Sequence, residues 1–217
     1  MLNEALDFKA ESDALYALMK DLDEAAFDAP TQFKGWTLNN VLEHLHMWNW
    51  AANESYVDED NFVSWLDGVL KAMAGSGGMR GYEAEWNGGK KGQELLAIWY
   101  GFYTEMAARF VEVDAKKRLK WAGPDMSARS SISARLMETW AHGQEVFDQL
   151  GVVRENTDSI RSIAVLGTNT FGWTYATRGE TPPGPMPFVK LTAPSGDVWE
   201  FGEPSDEEGV EGAAADF

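Results

Sequence analysis

Gly35-Trp36-Thr37-Leu38-Asn39-Asn40-Val41-Leu42-Glu43-His44-Leu45-His46-Met47-Trp48 is the stretch on which the fold turns. Gly35 breaks the preceding structure, and Thr37 offers a hydroxyl that can accept an orphan backbone N–H at a helix start. Behind it Leu38, Val41, Leu42, Leu45 and Trp48 recur at helical spacing, so an amphipathic helix is expected from about Leu38 into the low fifties.

The same grammar repeats on either side. Leu6, Leu15, Leu18, Met19 and Leu22 trace an earlier helix closed by Asp28-Ala29-Pro30. Phe62, Val63, Leu66, Val69 and Leu70 mark a shorter helical segment, which stops before the run Gly75-Ser76-Gly77-Gly78-Met79-Arg80-Gly81. That run lacks the Gly-Lys-Ser/Thr ending of a phosphate loop and reads as a mobile lid or linker, with a long loop continuing to Gly92. A third long helix carries Leu95, Leu96, Trp99, Phe102, Tyr103, Met106 and Phe110 and ends near Asp114. After Gly123-Pro124, Ser127 can cap a fourth that runs to Gly151. Four long amphipathic helices separated by breakers describe a four-helix bundle over residues 1–151.

From residue 152 to 217 the texture changes to that of a small α+β region. A helix capped by Thr157 is expected through Ile160, Ile163, Ala164 and Leu166 to about Tyr175. The cluster Pro182, Pro183, Pro185 and Pro187 separates it from Phe188-Val189-Lys190-Leu191-Thr192-Ala193 and Val198-Trp199-Glu200-Phe201, which read as a hairpin. Two strands alone are marginal in water, so the hairpin must pack on a helix or pair with something further along the chain, or else pack on the bundle or on a second subunit in a homodimer.

Composition narrows the function classes. The chain has 217 residues with 35 acidic and 18 basic side chains, a formal charge of −17, which repels phosphate backbones and anionic lipid headgroups and argues against nucleic-acid or membrane-surface partners. Eight acidic and no basic residues follow Lys190, so the body is only moderately acidic and 203–217 reads as a poorly ordered Gly/Ala/Glu-rich end. A hydrophobic content of 44%, with ten Trp and eleven Phe, is that of a folding chain. With zero cysteines, disulfides, thiolate metal sites and cysteine nucleophiles are excluded, and any thiol must arrive with a ligand. No apolar run approaches a membrane span, no basic-then-apolar leader opens the chain, and a cytoplasmic protein is the expectation.

The three histidines are the most informative residues. Glu138 and His142, in Met137-Glu138-Thr139-Trp140-Ala141-His142-Gly143, are separated by about 40° and roughly 6 Å on a helix and can converge on one ion. A histidine from a neighbouring helix would complete a His₂Glu set with one position open, a catalytic zinc arrangement. His44 and His46 are about 200° apart, so one can serve the site and the other cannot. Spacing leaves the choice open: both histidines flank their apolar stripe almost equally, Glu145 is a rival carboxylate, and Glu/His pairs four apart are common on solvated helix faces.

Beyond spacing, the string Gly35-Trp36-Thr37 followed after six residues by His44-Leu45, together with Glu138-Thr139-Trp140-Ala141-His142-Gly143, resembles the metal-binding domain of the mycothiol-dependent maleylpyruvate isomerase family, within the DinB-like superfamily. The resemblance extends to Gly123-Pro124-x-Met126-Ser127-Ala128 and to Gly172-Trp173 before Arg178-Gly179. It implies a DinB-like four-helix bundle, mainly α, followed by a small α+β domain that is truncated or reduced here, since relatives continue past the position matching 210–217. It also implies one divalent ion, zinc first with nickel or manganese as alternatives, held by His44, Glu138 and His142 with His46 left out. The implied activity is that of a thiol-dependent isomerase or transferase, in which a low-molecular-weight thiol adds to an electrophilic substrate; the alternative is metal binding without turnover in a stress-related or regulatory role. Arg178 is the candidate to hold an anionic substrate, although a surface arginine closing a helix is the commoner meaning of such a position. Trp173 and Tyr175 read as packing residues. No residue is singled out as catalytic.

Overall fold

The structure is a computed structural model that describes residues 1–73 and 78–217. The chain divides into two compact units, Met1–Arg154 and Glu155–Phe217.

Four long helices form the first unit: α1 (Asn3–Met19), α3 (Leu38–Val57), α6 (Gly92–Val111) and α7 (Ala128–Leu150). Helix α1 packs on α6 and α7, and α3 packs on the same two, so the four close a ring in which α1 lies diagonal to α3. The starts and stops follow from side-chain chemistry. The Thr37 hydroxyl accepts the Asn40 N–H while the Asn40 side chain accepts the Thr37 N–H, a reciprocal cap for α3. The Ser127 hydroxyl accepts the Ser130 N–H to open α7, and Gly151, in the left-handed region at φ 65°, closes it. The ring buries Phe8, Leu15, Met19, Leu42, Leu45, Trp99, Tyr103, Phe110, Ile132 and Leu136, each removing apolar surface from water at about 2 kcal/mol or more per side chain. Leu6, expected on the buried face of α1, is exposed; Ala5, Phe8, Ser12, Leu15 and Met19 are the face that packs.

Short elements dress this bundle. The single turn α2 (Glu24–Phe27) is capped by Asp23 and plants Phe27 in the core. Its Glu24 carboxylate lies where a Cβ on Gly92 would fall, and Gly92 has φ 54°, a left-handed conformation that favours glycine at the entry to α6. Helix α4 (Glu59–Met73) and helix α5 (Gly78–Trp86) pack on each other and on α3. The stretch from Gly78 was expected to be loop as far as Gly92; it is helix to Trp86, because the buried Glu83 and the buried Asn87, whose amide donates to the Glu43 and Glu83 carbonyls, anchor it against α3. The lid reading of the glycine run falls partly on 74–77, outside the described residues. Strands β1 (Arg118–Leu119) and β2 (Met126–Ser127) pair antiparallel and lead into α7.

The second unit opens with a 3₁₀ turn, Asp158–Ile160, capped by Thr157, then α8 (Arg161–Asn169) and α9 (Phe171–Ala176). One continuous helix was expected there. It breaks at Thr170, where the Thr168 and Thr170 hydroxyls bond back to the Val165 and Leu166 carbonyls (3.0 Å each) and compete with the helical ladder. The hairpin forms as β3 (Phe188–Thr192) against β4 (Val198–Phe201), burying Val189, Leu191 and Trp199, and α8 packs on β4. Residues 203–217, expected as a poorly ordered end, supply β5 (Gly209–Ala213), which pairs parallel with the other edge of β3. All five of its side chains are exposed, and the backbone pairing that recruits it is joined by an ion pair from Lys190 Nζ to Glu211 Oε1 at 3.0 Å.

Candidate metal centre

The cap at Thr37 sets the phase of α3, and two turns later His44 points toward α7. One turn apart on α7, Glu138 and His142 face it. The His44 Nε2 is 3.0 Å and the His142 Nε2 3.2 Å from Glu138 Oε2, and the three donor atoms lie within 4.8 Å of one another, a set that could hold a metal ion. Their side chains are 14%, 25% and 20% exposed, in the order His44, Glu138, His142, so the cluster is shielded but still reached by solvent. Among the described residues it is the one such group of histidine and carboxylate donors.

What surrounds the three donors sets their chemistry. Glu83 of α5 reaches the other ring nitrogen of His44, with Oε1 2.7 Å from Nδ1, and also accepts from Trp48 Nε1 at 3.3 Å. With Nδ1–H donated to Glu83, the Nε2 of His44 is the nitrogen directed at the cluster, the arrangement found behind metal-bound imidazoles. Trp36 stacks on the His142 ring at 5.1 Å and 7°, and Phe33 meets the same ring edge-on at 5.8 Å, forming an aromatic wall.

Burial pulls the pKa of His44 down, but its hydrogen bonds to Glu138 and Glu83 and the charges of both carboxylates outweigh that and leave it raised. Burial works in the opposite sense on Glu138, and the hydrogen bonds from His142 and His44, with the Arg135 charge, hold its carboxyl far below the ordinary range. Without an ion, protons therefore lie on the His44 imidazole between it and the carboxylates. A dication suits the donor set because it can take the place of those protons, two neutral nitrogens and one ionised oxygen being the ligands zinc prefers.

The residues that spacing left in competition are separated here. His46 faces away from the cluster, 8% exposed, with its ring edge-on to Trp86 (5.6 Å) and Phe102 (5.3 Å). Glu145 is drawn into the loop before α3, where its Oε2 accepts the Phe33 N–H at 3.1 Å. Arg178 lies in the second unit at the end of α9, exposed, 3.3 Å from Glu180 and over the Tyr175 ring. Two residues at the centre escaped sequence reasoning. Glu83 sits in a glycine-rich stretch that looks like loop, whereas Arg135 left a signal: a cation between Ile132 and Leu136 on the apolar side of α7.

The fold and the cluster define a helical-bundle protein with a His₂Glu donor set between two antiparallel-facing helices of the ring. A protein-family model, the mycothiol maleylpyruvate isomerase N-terminal domain, matches residues 8–147, and the chain belongs to that family. It is 36% identical over 211 residues to uncharacterized proteins from two strains of Mycobacterium tuberculosis, CDC 1551 / Oshkosh and ATCC 25618 / H37Rv, covering 97% of this chain and 81% of each relative. Among solved structures, it resembles the crystal structure of the mycothiol-dependent maleylpyruvate isomerase and that of a histidine-to-alanine mutant of that enzyme. The TM-score is 0.59 at 15% identity, covering 98% of this chain and 85% of each of those chains, a likeness of fold.

Proposed function

We propose that the protein binds one divalent metal ion, zinc before nickel or manganese, through His44, Glu138 and His142, and works as a thiol-dependent isomerase or transferase on an electrophilic small molecule. The observation that carries the metal reading is the convergence of the three donor atoms within 4.8 Å, backed by Glu83 on the far side of His44. Bound there, zinc would supply Lewis acidity that lowers the pKa of a low-molecular-weight thiol without redox chemistry. Family membership supports the thiol, mycothiol first among candidates.

The chain's own groups have definable tasks in this reading. Glu83 holds the tautomer and ring orientation of His44; Trp36 and Phe33 exclude water from one side of His142 and fix its plane. With zero cysteines, no protein thiol competes for the open position. Arg178 is proposed to attract an anionic substrate group. No helix among the described residues is long and apolar enough to cross a membrane; a cytoplasmic location is part of the proposal.

Elemental analysis of purified protein tests the metal. About one equivalent of a divalent ion, lost in His142→Ala, is expected; an ion-free wild-type protein that takes up none from solution overturns the reading. Incubation with mycothiol, glutathione or bacillithiol and a panel of electrophiles tests turnover: consumption that disappears in His44→Ala supports an enzyme, and metal loading without consumption supports binding without turnover.

A further inference from the structure

Arg135 is a cation beside the cluster, and its state is unusual. Its side chain is 4% exposed, Nε and Nη1 are sealed from solvent with no hydrogen-bond partner, and the guanidinium lies 5.3 Å over the Trp121 ring. A buried guanidinium left this way is costly unless its charge is matched nearby. The matching charge is Glu138, with Nη2 3.9 Å from Oε1, the oxygen that does not face the histidines. The two oxygens of Glu138 are thus divided: Oε2 belongs to His44 and His142, and Oε1 belongs to Arg135.

We propose that Arg135 is a positioning residue for this centre, confining Glu138 to one-oxygen ligation through Oε2, and that its fixed charge makes the open position select an anionic ligand. The proposal rests on the metal reading above. With neutral imidazoles, the formal charges of Glu83, Glu138 and Arg135 sum to −1; a dication brings the buried site to +1, and a monoanion such as a thiolate brings it to neutrality. Remove Arg135 and the same monoanion would leave an uncompensated negative charge in a poorly solvated place. The arginine therefore opposes the metal and favours the anion, a pattern opposite to that of a residue that merely supports the fold.

The test uses the full chain as wild type, Arg135→Met, which keeps bulk without charge, and Arg135→Lys, which keeps charge without the fork. Zinc affinity is measured by competition with a chromophoric chelator, and anion affinity by titrating thiocyanate into the cobalt(II)-loaded proteins and following the visible spectrum. Arg135→Met is expected to bind zinc at least as tightly as wild type and thiocyanate about tenfold or more weakly, and Arg135→Lys to keep thiocyanate within about threefold. Thiocyanate affinity unchanged in Arg135→Met, or equally lost in both variants, overturns the proposal. So does a parallel fall in zinc affinity, thiocyanate affinity and melting temperature in both, which marks a structural role. A wild-type chain that binds no zinc overturns the metal reading and this inference together, whereas zinc binding with indifferent anion affinity overturns this inference alone.

Discussion

His44 and His46 stand two residues apart on one helix and have opposite fates. His44 has a carboxylate on each ring nitrogen, Glu83 on Nδ1 and Glu138 on Nε2, and its pKa is raised. His46 lies against the edges of Trp86 and Phe102 with Nδ1 unpartnered, and burial lowers its pKa to about 4. Nothing within α3 distinguishes them beyond phase. What distinguishes them is what α5 and α7 bring to each side, so a histidine's chemistry here is a property of the groove it enters.

The contrast is broken most severely by removing a donor. His44→Ala or His142→Ala should weaken zinc binding about a thousandfold or more in a chelator competition, while His46→Leu should leave it within about threefold. Equal losses in His44→Ala and His46→Leu would show that the two sides of α3 are not chemically separate. Glu83→Gln, which keeps size and takes away the carboxylate behind His44, should cost about 10- to 100-fold in zinc affinity with the melting temperature little changed.

Acid sharpens the same contrast through stability. The folded state keeps His46 neutral down to about 4, whereas the unfolded chain protonates it near 6.5, so the unfolded state binds more protons between those values. The metal-free protein should therefore lose up to about 3 kcal/mol from this residue as pH falls from 6.5 to 4, and His46→Leu should flatten that part of a denaturant-derived stability profile. His44 has the opposite sign. Its raised pKa contributes stability that is fully present below the unfolded value and is lost as pH rises through the folded one, so His44→Gln should remove a decline on the alkaline side. The smallest effect belongs to Glu145→Gln, which disturbs the hydrogen bond to Phe33 N–H: a change of about 1 kcal/mol or less in unfolding free energy and zinc affinity within about twofold.

Legibility followed the range of the interactions. Thr37, Ser127 and Gly151 mark helix ends because caps act within one turn, and the apolar stripes behind them announce a bundle. The Glu138 and His142 pair was readable for the same reason, being set by helix pitch alone. Glu83 was not, because its helix begins in glycines whose own preference is against helix and is held by Asn87 and the packing on α3. Nor was β5: five exposed residues with two glycines carry no alternation, and only the free edge of β3, reached through a parallel register, makes them a strand.

By itself, then, the sequence determined a cysteine-free, acidic, mainly helical chain, the starts of α3 and α7 and the end of α7, and a glutamate and a histidine on one helix face, all consequences of composition or of contacts within a few residues. Spacing left open which histidine of α3 meets that face, where family resemblance pointed to His44; the tertiary structure brings His44 there, and it alone decided which carboxylate stands behind it and which buried arginine stands beside it. Those choices depend on how three helices distant in the chain pack against one another, and a rotation of α3 by half a turn would exchange the roles of His44 and His46 without changing a residue.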